Sequence, residues 1–286
     1  MRLLVTGATG FIGRRLIPAA LATGHEAMLL LREQHRDGQA LPAPLASLPA
    51  VYADLRDREG TRRAVEAAAP EAVLHLAAAG VTAPFLPADE AVAHNVLGTI
   101  HLLEASAHMA TRIVVARTPG EREALNVYAA SKAAAWQFCR MAVRTRGLPI
   151  VGAMIFQAYG PGQAAHNLIP AAMAAARAGA NFKMTPGNQV RDWIYVDDVV
   201  EGLLAALCRP LPAGTTVELG TGVGTSVAAV VERIYTLCGS GGRPLLGALP
   251  PRPGESNRQI ADADGTRASL GWQAKTGLDE GLMRLL

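Results

Sequence analysis

Apolar residues in the first half of the chain fall into short runs separated by stretches of helical period. Leu3, Leu4 and Val5 form the first run, 27–31 the second, and others follow at 51–54, 72–77, 113–116 and 150–156. Each is the length of a strand, apolar throughout as in strands covered on both faces, and bounded by turn residues. Between them, helices are expected from Phe11, from an Asp57 cap to residue 69, over 88–107 with Val92, Val96 and Ile100 on one face, and over 126–146. Strands alternating with helices six times imply parallel strands joined by crossover helices. The expected fold class is α/β: a Rossmann, doubly wound parallel sheet over residues 1–160. Pro18 falls inside the first helix, where it removes a hydrogen bond, and residues 37–50, rich in Pro and Ala, read as a loop. Beyond Gly160-Pro161-Gly162 the pattern becomes helix-rich with short strands, such as 182–184 and 216–219. Residues 161–286 are accordingly read as a smaller C-terminal substrate lobe, with the apolar stretch in 191–199 returning to the sheet.

Bulk properties narrow the class of function. Of 286 residues half are hydrophobic and 18% charged, the balance of a well-packed, enzyme-like chain rather than a disordered one. A net charge of +3, with scattered Lys and Arg, gives no surface for nucleic acid, so small-molecule chemistry is expected. The uncharged stretch 147–176 contains Gly152, Gln157, Gly160, Pro161, Gly162, Gln163 and Asn167, too many polar and breaking residues for hydrocarbon, so no membrane partner is expected. Gly7 and Gly10 break the opening apolar run, which does not read as a signal peptide. Cys139, Cys208 and Cys238 lack the spacing of a disulfide frame or a metal site; no metal is expected, and a reducing cytoplasm fits.

Two patterns carry candidate chemistry. Gly7, Gly10 and Gly13 follow the first strand and open the first helix, as in a loop that cradles a pyrophosphate, or in a glycine-rich turn without a ligand. Tyr128 and Lys132, four residues apart, share a helix face. The Lys132 ammonium is expected to stabilise the phenolate and lower the Tyr128 pKa, fitting the pair to exchange a proton with a carbonyl or alcohol oxygen. Any amphipathic helix can carry such a pair, but this one follows the fifth strand of a nucleotide-binding sheet, at the strand ends where ligands bind.

With these residues in view the chain is similar to the extended short-chain dehydrogenases/reductases of the NAD(P)-dependent sugar epimerase/dehydratase type. The resemblance spans nearly the whole chain, in order: VTGATGFIG at 5–13, ADLRD at 53–57, VLHLAA at 73–78, HNVLGT at 94–99, YAASK at 128–132, YGPG at 159–162, RDWIYVDDV at 191–199, LGTGVGTS at 219–226 and RPGE at 252–255.

The resemblance implies cofactor contacts at Gly7, Thr9, Gly10, Phe11, Ile12, Asp54, Leu55, Leu76, Ala77, Ala78, Tyr128 and Lys132. Asp54 equally suits a turn or cap, and Ala77 and Ala78 a packed strand end. It implies Tyr128 as proton donor, Lys132 as its activator and Thr118 as the hydroxyl that polarises the substrate oxygen. Substrate contacts are implied at Gln157, Asn167, Arg191 and Arg252, the last three for a nucleotide diphosphate. Asn167 also suits a helix cap, Arg191 a pair with Asp192 or Asp197, and Arg252 a loop cation. Gln157 replaces an Asn common in sugar-modifying members.

Three departures refine the expectation. Only nine residues separate Thr118 from Tyr128, so the substrate loop is trimmed. Pro119-Gly120 stands where a 4,6-dehydratase has Asp-Glu, which argues against dehydration. Leu31 takes the place of the acid that binds the NAD ribose, and Arg32 follows, which suits a 2′-phosphate and favours NADP, with NAD the alternative. The expected activity is reduction of a nucleotide-linked keto-sugar, a 4-keto-6-deoxyhexose, by a homodimer. A nucleotide-sugar 4-epimerase retaining NAD is the alternative. A non-catalytic NADP-binding regulator would ordinarily lack Tyr128 or Lys132.

Overall fold

The computed structural model describes residues 1–36, 41–109, 111–239 and 241–286, and the chain divides into two compact units. The first comprises Met1–Met154 and Val200–Val217, the second Ile155–Val199 and Glu218–Leu286. The first part of the loop expected at 37–50 lies outside the described residues.

Six strands follow the expected runs: β1 (Arg2–Thr6), β2 (Glu26–Leu31), β3 (Ala50–Tyr52), β4 (Ala72–His75), β5 (Arg112–Arg117) and β6 (Ile150–Ile155). They pair in parallel in the order β3-β2-β1-β4-β5-β6, with Val5 opposite Leu29 on one side and Leu74 on the other. Their apolar side chains are enclosed, Leu4, Val73, Ile113 and Ile150 among them, in a core shared with Val65, Leu102 and Trp136 of the intervening helices. Asp57 caps the Arg58–Ala68 helix, as expected, by accepting from the Glu59 N–H at 3.1 Å. The strand order reverses at β1 and β4, and ligands of such sheets bind outside the carboxyl ends of the strands at that reversal.

The second unit adds β7 (Gln157–Tyr159), β8 (Phe182–Lys183) and β9 (Val190–Tyr195). Three of the last four strands also belong to small sheets or their edges: β11 (Gly224–Ser226), β12 (Pro244–Leu245) and β13 (Arg258–Gln259), whereas β10 (Thr216–Leu219) extends the large sheet beside β6. The expected return at 191–199 is therefore corrected. β9 pairs with β7, β11 and β13, because Trp193 and Tyr195 bury into a separate core with Tyr159, Ile169, Val230 and Ile234. An apolar strand is legible in sequence, but the sheet it joins depends on which core accepts its side chains.

Asp192, fully buried in β9, holds this unit's loops. Its carboxylate accepts from the Thr221 N–H (2.8 Å), the Thr221 hydroxyl (2.7 Å), the Gly222 N–H (2.8 Å) and the Ala261 N–H (3.2 Å). Asp192→Ala should orphan these donors and lower the unfolding free energy by about 3 kcal/mol in urea titrations; a loss below about 1 kcal/mol would show that water satisfies them instead.

Candidate active site

β1 ends in a loop whose shape depends on missing side chains. Gly7 has φ of +71°, and a Cβ there would lie 2.6 Å from the Ala77 nitrogen beyond β4. At Gly13 a Cβ would lie 2.4 Å from the Gly7 carbonyl oxygen, so the Phe11–Ala22 helix can press onto the loop only without one. Gly10 occupies the N-cap of that helix, and no side chain takes its first amides. Backbone donors therefore remain for an anion of pyrophosphate type, beside Thr9, Phe11 and Ile12.

A chain of buried hydrogen bonds fixes the neighbouring strand end. The Ala77 N–H donates to the Thr6 hydroxyl (3.2 Å), which lies 2.8 Å from His75 Nδ1; His75 Nε2 lies 3.0 Å from the Thr99 hydroxyl, which donates to the Asn95 carbonyl (2.7 Å). Because Thr99 spends its hydrogen on Asn95, it accepts from His75 Nε2–H, and Nδ1 accepts from Thr6. This assigns one neutral tautomer. Burial, and secondarily the Lys132 charge, hold the His75 pKa down to about 3. The Asn95 amide then accepts from the Ala79 N–H (2.8 Å) and donates to the Ala79 carbonyl (2.9 Å) and the Ser131 hydroxyl (2.9 Å). Ser131 in turn donates to the Tyr128 carbonyl (2.8 Å). Asn95 stands in a π-helical turn, Val92–Leu97, within the expected 88–107 helix, and such turns often occur at functional sites. The sequence reading missed Thr6, His75, Asn95, Thr99 and Ser131, although His75 and Thr99 are polar exceptions inside VLHLAA and HNVLGT.

The Val127–Arg146 helix, capped by Asn126, carries Tyr128 and Lys132. Lys132 is 4% exposed, and its ammonium makes no hydrogen bond among the described residues, so it has donors to offer a ligand. Burial lowers its pKa, and Arg117 adds to this, while Glu121 and Cys139 oppose. The expected lowering of the Tyr128 pKa is corrected: burial raises it, and the Glu121 carboxylate raises it further. Desolvation of the phenolate is the larger cause, so Tyr128 is a protonated phenol at neutral pH.

Thr118, after β5, opens a short 3₁₀ turn, Pro119–Arg122. Its hydroxyl accepts weakly from the Gly120 N–H (3.4 Å), and no described residue takes its hydrogen. Asp54 is engaged by Arg56 at 2.6 Å, which, through that hydrogen bond above all, holds the carboxyl down to about 2. Arg32 is exposed immediately beyond β2, and Leu55 lies against Gly98. Leu76, Ala77 and Ala78 follow β4. In the second unit Asn167 stands at the N-cap of Leu168–Arg177 but makes no side-chain capping bond. Gln157 is exposed on β7, Arg191 is buried on β9 with Nη1 donating to the Val190 carbonyl (2.9 Å), and Arg252 is an exposed loop cation. Asp192, one expected partner of Arg191, is taken up by Thr221, Gly222 and Ala261.

No cluster of metal-ligating side chains and no helix long and apolar enough to cross a membrane occurs among the described residues. The family model described as the NAD dependent epimerase/dehydratase family matches residues 3–220. The chain is 32% identical to a UDP-glucose 4-epimerase of Mycolicibacterium smegmatis over 99% of this chain and 97% of that one. It is 29% identical to a probable dTDP-glucose 4,6-dehydratase of Sinorhizobium fredii over 99% and 91%. The solved UDP-glucose 4-epimerase of Thermus thermophilus in complex with NAD superposes with a TM-score of 0.83 at 30% identity, covering 100% of this chain and 97% of that one.

The depressed His75 pKa means that the unfolded chain binds one more proton than the folded one between about pH 3 and 6.5. That stabilisation is present above pH 6.5 and is lost as pH falls, by up to about 1.4 kcal/mol per unit. Unfolding curves recorded from pH 6.5 downward should steepen for the wild type relative to His75→Gln. Parallel slopes would remove His75 as the cause.

Proposed function

Because the chain belongs to the NAD dependent epimerase/dehydratase family, we propose that it reduces the keto group of a nucleotide-linked sugar, a 4-keto-6-deoxyhexose, using NADPH. The observation that carries this reading is the placing of Tyr128 and a buried Lys132 one turn apart on the Val127–Arg146 helix that follows β5. Tyr128 carries its proton at neutral pH, and Lys132, one turn along the same helix, has donors for a ligand; burial and Glu121 oppose release of that proton, so the phenolate must be steadied as it forms. The residues suit the cofactor: the loop at Gly7, Gly10 and Gly13 leaves amides for its pyrophosphate, and Lys132 has a free ammonium for ribose hydroxyls. When bound, the nicotinamide supplies the hydride. Thr118 donates to the carbonyl oxygen and polarises it, and Tyr128 delivers the proton that completes the alcohol. Lys132 steadies the phenolate left behind.

A dehydratase needs a further acid and base beside the substrate. The carboxylate nearest Thr118, Glu121, is already engaged with Arg117 and the Thr118 N–H, which supports reduction over dehydration. Asn167, Arg191 and Arg252 supply groups for the nucleotide diphosphate, and the lack of a capping bond at Asn167 leaves its amide available. Arg32 beyond β2, in place of an acid, supports NADP. Val92, Leu97, Phe138 and Met141 are exposed apolar residues on two helical stretches of the first unit, which supports a homodimer. Three cysteines without disulfides fit a cytoplasmic enzyme.

A second reading, a nucleotide-sugar 4-epimerase that keeps its cofactor, draws support from the 32% identity to the mycobacterial epimerase. Mass spectrometry of the denatured purified protein separates the two, since stoichiometric retained NAD(H) favours the epimerase.

With a keto-sugar substrate, Tyr128→Phe should lower kcat about 100-fold or more with the fold intact; near-wild-type turnover sinks Tyr128 as the donor. Arg32→Ser should weaken NADPH binding by about tenfold and leave NADH binding within about twofold. Equal losses for both, measured by fluorescence titration, would disconnect Arg32 from the 2′-phosphate.

A further inference from the structure

Arg117 and Glu121 are oppositely charged, largely enclosed and unassigned by the catalytic scheme. Arg117, the last residue of β5, places Nε at 2.8 Å and Nη2 at 2.7 Å from one Glu121 carboxylate oxygen. Its Nη1 donates to the Thr216 hydroxyl at 2.6 Å, and its guanidinium lies 4.2 Å above the ring of Trp136, one turn beyond Lys132 on the same helix. The other Glu121 oxygen accepts from the Thr118 N–H at 3.0 Å. Space for this arrangement comes from Gly152 on β6: a Cβ there would lie 2.7 Å from Arg117 Cδ, 2.9 Å from Trp136 and 3.1 Å from the Thr216 hydroxyl.

Burying two charges costs several kcal/mol in desolvation, so such a pair is weak evidence for stability, and what it supplies here is position. With only nine residues between Thr118 and Tyr128, no longer insert packs over the Thr118 backbone. We propose that Glu121, locked by Arg117 against Trp136 and Thr216, is a positioning residue that fixes the Thr118 backbone, and with it the hydroxyl aimed at the substrate carbonyl. This rests on the reductase reading above. Glu121 acts through Thr118 and does not touch substrate.

The test separates the hydrogen bond from the fold. Glu121→Ala should lower kcat about tenfold with KM for the nicotinamide cofactor unchanged. Glu121→Gln, which keeps an acceptor for the Thr118 N–H, should restore most of it. Should the unpartnered Arg117 prevent folding of these variants, Arg117→Met combined with Glu121→Gln or with Glu121→Leu carries the same comparison without a buried charge, the leucine form being about tenfold slower. Equal kcat in the folded glutamine variant and its alanine or leucine counterpart overturns the proposal. If the wild type reduces no keto-sugar, the reductase reading fails, and amide hydrogen exchange at Thr118 decides the inference. Faster exchange without the acceptor supports the lock, and unchanged exchange overturns it.

Discussion

The close passage of the first loop over the end of β4 is the constraint on which the first unit depends. Gly7 can make that approach only because it has no Cβ and adopts a positive φ; any side chain would strike the Ala77 backbone. The approach brings the Thr6 hydroxyl within reach of both Ala77 and His75. From that contact the order of the remaining site follows. Ala77 and Ala79 are held by side chains rather than by a neighbouring strand, so the strand end stays open toward a ligand while its backbone groups are satisfied.

This arrangement is expensive in a way an apolar core is not. Five polar side chains sit in or beside the sheet, and each is tolerable only because its partner is present. The neutral His75 illustrates the rule. Protonation would put a hydrogen on Nδ1, where Thr6 needs an acceptor, and would add a charge that the Lys132 ammonium opposes. The network therefore has a single workable arrangement of hydrogens. That uniqueness aligns the π-helical turn with the Tyr128 helix through Asn95 and Ser131.

Much of the fold was legible because it rests on local rules. The strands β1 to β6 are apolar runs of strand length, and the Asp57 cap is a short-range signal. Tyr128 and Lys132 stand out as a candidate pair because their spacing is local, whereas Thr118 is singled out only by the family resemblance; all three lie on the first unit. What could not be read were facts set by enclosure. β9 reads as apolar whichever core receives it. The spacing of Tyr128 and Lys132 suggests a lowered phenol pKa, yet the sign is decided by burial and by Glu121, whose approach comes from tertiary packing. Likewise the hydrogen-bonding of His75, Asn95 and Ser131 joins residues up to tens of positions apart, and no local spacing announces it.

The two candidate phosphate-binding arginines of the second unit differ in what they lose on binding. Arg191 is buried on β9, a strand paired on both sides and followed by a residue whose carboxylate organises the neighbouring loops. Its side chain is confined before any ligand arrives. Arg252 is exposed on a loop and must give up roughly 2 kcal/mol of side-chain freedom to be fixed. A diphosphate held by both would owe its register to Arg191, whose geometry is already set. Arg252 would contribute charge, and with it an attraction that weakens as salt is added, because an exposed cation is screened far more than a buried one.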